Sequence, residues 1–365
     1  MQKINKPGLY VHIPFCNKIC SYCNFTKLIY LEKFSKPYLE LLKKELIKYN
    51  SFNFDSIYIG GGTPSSLSYN ELEYLFEMLI PYQNQNTLIT IEINPDIDYK
   101  KIELFKKYHV QRVSIGVQSF NQNILKLINR DSNYDEINDL IYELNKNDIF
   151  DINVDLIYGF NIENKDILKQ DLDLFTSLNI THISTYCLQL EESTILKNNH
   201  YQELNDEDIA DQYEYIVSYL KNKGFNRYEV SNFSKENYES KHNLIYWNNQ
   251  EYGGVGLGSS SYIDNVRRTN TKNMNEYLKG NYLDYEEILN KEDKEFYFIM
   301  LGLRKEKGIS LSEYKNLFKK DFLICYKDKL DDLLKNKDLI LDNDNLYVNE
   351  DKMFILDYFL RKLLF

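Results

Sequence analysis

Three cysteines fall within eight residues, Cys16-Asn17-Lys18-Ile19-Cys20-Ser21-Tyr22-Cys23. Thiolates on one short loop ligate soft metal centres, and the choice lies between an iron–sulfur cluster and zinc. Three thiolates can hold three irons of a cubane, leaving the fourth iron open to a small molecule. A structural zinc site needs a fourth donor, which His12 could offer. The x3, x2 spacing, directly after an apolar strand-like run, favours a [4Fe–4S] cluster on Cys16, Cys20 and Cys23. The other cysteines, Cys187 and Cys325, read as buried apolar positions.

Further polar groups recur at the ends of strand-like runs. Gly60-Gly61-Gly62-Thr63-Pro64-Ser65 would let the backbone approach a ligand closely, although taken alone it reads equally as an ordinary Gly-rich turn. Glu92-Ile93-Asn94-Pro95 and Gly116-Val117-Gln118-Ser119-Phe120 end two later runs. Asn129-Arg130 follows one short helix on, and Asp155 lies in the next run. Singly, each is a solvated strand end or a surface charge. At the C-terminal ends of parallel strands such groups converge on one cavity.

The elements that must position them alternate regularly. Strands are expected at Leu9–Phe15, Ser56–Gly60, Leu88–Asn94, Arg112–Val117, Asn153–Tyr158 and Ile183–Leu188, with helical patterns between. One pattern is Pro37–Tyr49, and another places Leu168, Leu172 and Phe175 on one face. Strand–helix units in series predict an α/β fold with a parallel sheet and right-handed crossovers, closed partly or fully into a barrel. After about residue 265 helical periodicity dominates, at Lys291–Leu303 and Leu311–Leu334. Leu339–Val348 reads as a hairpin turning at Asp342–Asn345. The expected division is a barrel with trailing elements over residues 1–284 and a small, mainly helical C-terminal domain over 285–365.

The chain has 365 residues, a hydrophobic fraction of 43% and a net charge of −11. That length and fraction allow a sizeable core, and the acidic balance argues against nucleic acid as a partner. The 32 tyrosines read as compositional drift. The N-terminal residues are too few and too polar for a secretory signal, and no apolar run approaches a membrane span. A cytoplasmic protein is expected.

CxxxCxxC on the first βα loop resembles the radical SAM superfamily. The resemblance implies a partial (β/α)6 barrel in which the open iron chelates the amino and carboxylate groups of S-adenosylmethionine (SAM). It implies SAM contacts at Tyr10, Tyr22, Gly61, Gly62, Thr63, Glu92, Gln118, Arg130, Asp155 and Cys187. The chemistry agrees, because Arg130 can fork to the SAM carboxylate while a carboxylate and an amide take its ammonium and hydroxyls. The GGGTPS turn, GVQSF, DLIYG, Ser184-Thr185-Tyr186, Tyr228–Phe233 and His242-Asn243-Leu244-Ile245-Tyr246-Trp247 narrow the resemblance to the coproporphyrinogen III oxidase-like group. One branch of that group is the oxygen-independent coproporphyrinogen III dehydrogenase, and the other is a heme chaperone. The dehydrogenase has a further Cys two residues after the third, where Phe25 stands here, and an N-terminal extension where this chain has seven residues before Gly8. The intact HNxxYW motif at His242–Trp247 also resembles the chaperone. The implied function is to hold the cluster and SAM, bind heme and transfer it to client heme proteins, with the membrane as a candidate location for those clients. The dehydrogenase is the alternative. His242 and Tyr246 are candidate heme ligands by type, or else a hydrogen-bonded core pair. Trp247 would stack on the porphyrin or fill the core. His109, His182 and His200 read as structural. Two departures from the chaperone pattern stand at Asn129-Arg130-Asp131-Ser132, usually Gly-Arg-x-His, and at Gly258-Ser259-Ser260, where a His is usual.

Overall fold

The computed structural model describes residues 7–365. Six parallel strands form where the alternation predicts them: β1 (Gly8–Ile13), β2 (Phe54–Gly61), β3 (Gln83–Ile93), β4 (Val110–Gln118), β5 (Asp151–Tyr158) and β6 (His182–Cys187). Each neighbours the next in chain order, and helices Glu32–Leu46, Tyr69–Leu79, Ile102–Lys107, Tyr134–Lys146, Lys165–Ser177 and Asp206–Asn222 complete six strand–helix units. Many of these helices start on a side-chain cap. Ser68 and Glu71 form a capping box, and Asn133, Asn164 and Asn205 each accept from a first-turn N–H, so the abundant asparagines have local work.

The two faces of the strands differ in chemistry. Leu9, Val11 and Ile13, then Ile57 and Ile59, Ile91 and Ile93, Val113, Ile115 and Val117, and Ile152 and Val154 are all buried. They form one hydrophobic cluster with helix residues such as Leu39, Leu72, Leu140, Leu168, Leu172 and Phe175. Side chains alternate across a strand, so the residues between them face the other way. Those residues are Tyr10 and His12, Ser56 and Tyr58, Glu92, Ser114, Asn153 and Asp155, and His182, Ser184 and Tyr186. The barrel interior is therefore polar, and the apolar core lies between the strands and the helices.

The sheet stays open, with β1 and β6 never adjacent. Beyond β6 lie the antiparallel strands Asn232–Ser234 and Asn226–Glu229. Beyond β1 lies Tyr252–Val255, followed by Ser260–Ile263, Val266–Asn270 and Leu283–Ile288. Buried Glu45 on the first helix ties these elements down, accepting from Gly256 N–H at 2.9 Å, Asn270 at 2.7 Å and Tyr277 at 2.7 Å.

The expected boundary at 284/285 falls inside strand Leu283–Ile288, whose pairing with Val266–Asn270 holds it in the large sheet. The architecture changes after Ile288. Helices Lys291–Gly302, Leu311–Phe318, Phe322–Cys325, Lys327–Lys335 and Leu356–Leu364 then surround a three-stranded sheet. The helical stretch from Leu311 is interrupted because Lys319 takes a left-handed conformation, φ 58°, at the end of Leu311–Phe318. The predicted hairpin forms as Leu339–Asp342 with Asn345–Val348, joined by Ile309–Ser310. Cys325 is exposed, against its expected burial, because its short helix turns it away from the core.

Candidate functional site

The cysteine loop is anchored at several points. Phe15–Cys16 pairs with Leu28–Ile29 and closes its base. Ser21 N–H donates to Ile128 O at 3.0 Å, and Asn129 Nδ2 donates to Ile19 O at 2.7 Å. Asn129 has φ +60°, a conformation open to Gly and tolerated by Asn, which accounts for Asn at a place where Gly is usual. Cys16 is buried, Cys20 and Cys23 are half-buried, and Lys27 donates to the Cys23 carbonyl. The Thr63 hydroxyl reaches Cys16 Sγ at 3.6 Å. Burial pushes the Cys16 thiol up to about 11, partly offset by Thr63, so metal uptake at neutral pH would release its proton.

The three thiols border a cavity of about 360 Å³. Tyr22, Gly61, Gly62, Thr63, Glu92, Gln118, Arg130, Asp155 and Cys187 line it too, as expected from their strand-end positions. The structure adds Lys18, Asn94, Tyr186 and Gln189. Arg130 Nη1 donates to Asn94 Oδ1 at 2.9 Å and to Gly116 O at 3.0 Å, while its Nε is buried without a partner. A Cβ on Gly116 would lie 3.1 Å from Gln118 Nε2 and 3.2 Å from Arg130 Nη2, so those side chains would have to shift by a few tenths of an ångström to admit one. Glu92 accepts from Tyr58 OH at 2.8 Å and from Gly61 N–H at 2.9 Å. Burial pushes Glu92 up to about 7, Tyr58 and Gly61 oppose this, and the Asp155 carboxylate adds to it. Asp155 accepts from Asn153 at 2.8 Å and is also raised by burial. One cation and two carboxylates in one cavity suit a ligand that carries both charges.

Several expected residues lie elsewhere. Tyr10 is outside the cavity, with its hydroxyl on His12 Nδ1 at 3.0 Å and its ring 6.2 Å from that of Tyr58. His12 Nε2 bonds Thr26 O at 2.8 Å, so both ring nitrogens are engaged away from the thiols and the zinc reading loses its fourth donor. Cys187 lines the cavity half-buried. His182 is buried between Asn153 and Tyr228, a structural residue as expected.

His242, Tyr246 and Trp247 sit on helix Lys241–Trp247, at the N-terminal ends of the strands. His242 Nδ1 bonds Ser56 Oγ at 2.9 Å, and its Nε2 bonds Tyr246 OH at 2.8 Å. Burial pushes the imidazole down to about 3, so it stays neutral and makes both bonds. Neither nitrogen can meet a heme iron unless one of these bonds breaks. Trp247 is half-buried, with the Arg304 guanidinium 6.0 Å from its ring. Of the two departures, Ser132 is buried and Ser260 is exposed, bonded to Thr269 at 3.2 Å.

Sequence reasoning did not assign Lys18, Asn94, Tyr186 or Gln189 to the site, nor Tyr58, which bonds Glu92 from below. Tyr58 carried a signal, being the aromatic hydroxyl between Ile57 and Ile59 on the interior face of β2.

Comparison with known proteins places these features. The radical SAM superfamily matches residues 10–175, and the HemN C-terminal domain matches residues 289–351. The heme chaperone HemW of Lactococcus lactis subsp. lactis (strain IL1403) is 36% identical over 97% of this chain and 96% of its own. HemW of Bacillus subtilis (strain 168) is 31% identical over 92% of this chain and 93% of its own. Coproporphyrinogen III oxidase (HemN) from Escherichia coli, a radical SAM enzyme, superposes with a TM-score of 0.87 over 98% of this chain and 90% of that one. Its 20% identity makes this a likeness of fold. With the cysteine loop, the open polar barrel and the C-terminal region all accounted for by full-length relatives, the chain belongs to the HemW family of radical SAM proteins.

Proposed function

We propose that this chain is a heme chaperone that holds a [4Fe–4S] cluster and SAM, binds heme and passes it to client heme proteins. The observation that carries the reading is the full-length match to heme chaperones at up to 36% identity. Phe25, 64% exposed at the cavity, supports it, because the dehydrogenase branch has a cysteine at that place.

Cys16, Cys20 and Cys23 are the residues that would hold the cluster. A cluster so held supplies reducing electrons and one open iron for SAM. Arg130, which lines the cavity beside Tyr22 and Cys20, would take the SAM carboxylate. Glu92 and Asp155 would take the ammonium and ribose hydroxyls, with Gln118, Tyr22 and the Gly61–Thr63 backbone closing around the rest.

The openness of the site also agrees with the reading. A radical enzyme must shield its intermediates from water, whereas a carrier must release its cargo. Here Phe25 and Tyr186, 44% exposed, stand at the cavity in contact with solvent. The test is anaerobic reconstitution followed by heme titration and, side by side, incubation with coproporphyrinogen III, SAM and a strong reductant. Heme binding without the divinyl product is expected. Formation of that product would overturn the reading in favour of the dehydrogenase.

A further inference from the structure

We infer that His242 and Tyr246 are positioning residues for the SAM site, acting from the floor of the barrel through Tyr58 on the carboxylate of Glu92. The inference rests on the proposed role of Glu92 toward SAM. The side chains form a continuous path. Tyr246 OH bonds His242 Nε2 at 2.8 Å, and Ser56 Oγ holds His242 Nδ1 at 2.9 Å. The imidazole thus has no rotational freedom, and it lies against the Tyr58 ring, centroids 5.2 Å apart at 34°. Tyr58 in turn donates to Glu92 Oε1 at 2.8 Å.

Three further features show why Tyr58 needs this support. First, Glu92 is pressed against β2 with no slack. Gly60 has no side chain there, and a Cβ would come within 2.7 Å of the Glu92 carboxyl carbon. Second, the floor is closely packed, because a Cβ on Gly8 would lie 3.0 Å from Ile245 and 3.1 Å from His242. Third, a polar chamber of about 40 Å³ lies beside Tyr58, bordered by Glu92, Ser114, Asn153, Asp155 and Asn243. That space has room for a few water molecules. A phenol no longer held by the imidazole can tilt into it and take its hydroxyl off Glu92. Glu92 would then lose a donor that favours its charged form, while Asp155 continues to disfavour it.

On this view the HNxxYW segment serves the ammonium side of the SAM site from the opposite end of the barrel. A core-filling His–Tyr pair would affect folding and leave SAM affinity alone.

The experiment measures SAM affinity by calorimetry on anaerobically reconstituted, full-length protein. It compares Tyr58→Phe, Tyr246→Phe, His242→Gln, the Tyr58→Phe/Tyr246→Phe double variant and Glu92→Gln, with iron content and the SAM-induced change in the electron paramagnetic resonance spectrum recorded for each. The single variants are expected to keep their iron and to weaken SAM binding about three- to twentyfold, the range of one lost hydrogen bond. The double variant is expected to be no weaker than Tyr58→Phe alone, since both changes act on one path. Tyr246→Phe removes only a hydroxyl and keeps the test decisive should His242→Gln fold poorly. SAM affinity within twofold of the unaltered protein in both Tyr246→Phe and Tyr58→Phe, with Glu92→Gln weakened, would overturn the inference and leave the SAM reading standing. So would independent, multiplying effects in the double variant. Unchanged affinity in Glu92→Gln would overturn both.

Discussion

The two ends of the barrel treat their polar groups differently. At the C-terminal strand ends Arg130 and three thiols line one cavity, and Asp155 lies close enough to Glu92 to oppose its ionisation. At the N-terminal ends His242 has both nitrogens bonded and packs closely over Gly8, where a Cβ would lie 3.1 Å from the ring. Opposed carboxylates beside an open cavity suit a site that a ligand completes. At the second end His242 is saturated by its two bonds, while the Trp247 indole N–H on the same helix is buried without a partner. Two motifs of equal prominence in the sequence therefore differ in setting, the thiols lining an open cavity and His242 bonded on both ring nitrogens.

The comparison breaks most sharply at the thiols. Cys20→Ala is expected to abolish the brown chromophore of reconstituted protein and to lower iron from about four per chain, the content of one [4Fe–4S] cluster, to near zero. A surviving cluster would remove Cys20 from the site. At the floor, His242→Leu leaves the Ser56 and Tyr246 hydroxyls unpaired, and should cost about 2–4 kcal/mol of stability in denaturant unfolding. An unfolding midpoint equal to that of the unaltered protein would show the pair to be unstrained without its histidine.

At the upper end, Arg130→Ala should weaken SAM binding about ten- to a hundredfold with iron content intact. Equal affinity by calorimetry would place Arg130 outside the site. The pH dependence sharpens the contrast further. Glu92 is raised to about 7, so it is neutral below that pH and must ionise to hold an ammonium. SAM affinity should be complete above about pH 7 and fall as pH drops through it, approaching tenfold per unit. Glu92→Gln should flatten this profile, and a profile unchanged by that substitution would assign the titration elsewhere. The smallest effect is expected at Phe25, 64% exposed: Phe25→Ala should alter stability by less than about 0.5 kcal/mol. A larger loss would mean that the ring packs on the loop.

The strands were readable because each face of β1 to β6 has its own composition, Leu, Ile and Val toward the helices and Tyr, His, Ser, Asn, Glu and Asp toward the interior. The site residues at strand ends were readable for the same reason, since parallel strands bring their C-terminal ends together. The expected boundary at 284/285 cuts Leu283–Ile288, which was not legible as a strand because it is an exposed edge strand without the buried alternation that marks one in sequence. Cys325 was misjudged because one turn of rotation decides whether a short helix buries a given residue.

By itself, the sequence determined the thiol loop, the six strand–helix units and the set of strand-end groups, because local spacing and period depend on neighbours along the chain. Only the tertiary structure decided that Tyr10 and His12 bond to each other away from the cluster loop, that Asn94 holds Arg130, and that His242 touches Tyr58. Those contacts join residues that are far apart in sequence or turned by barrel curvature, and their partners exist only once the sheet has formed.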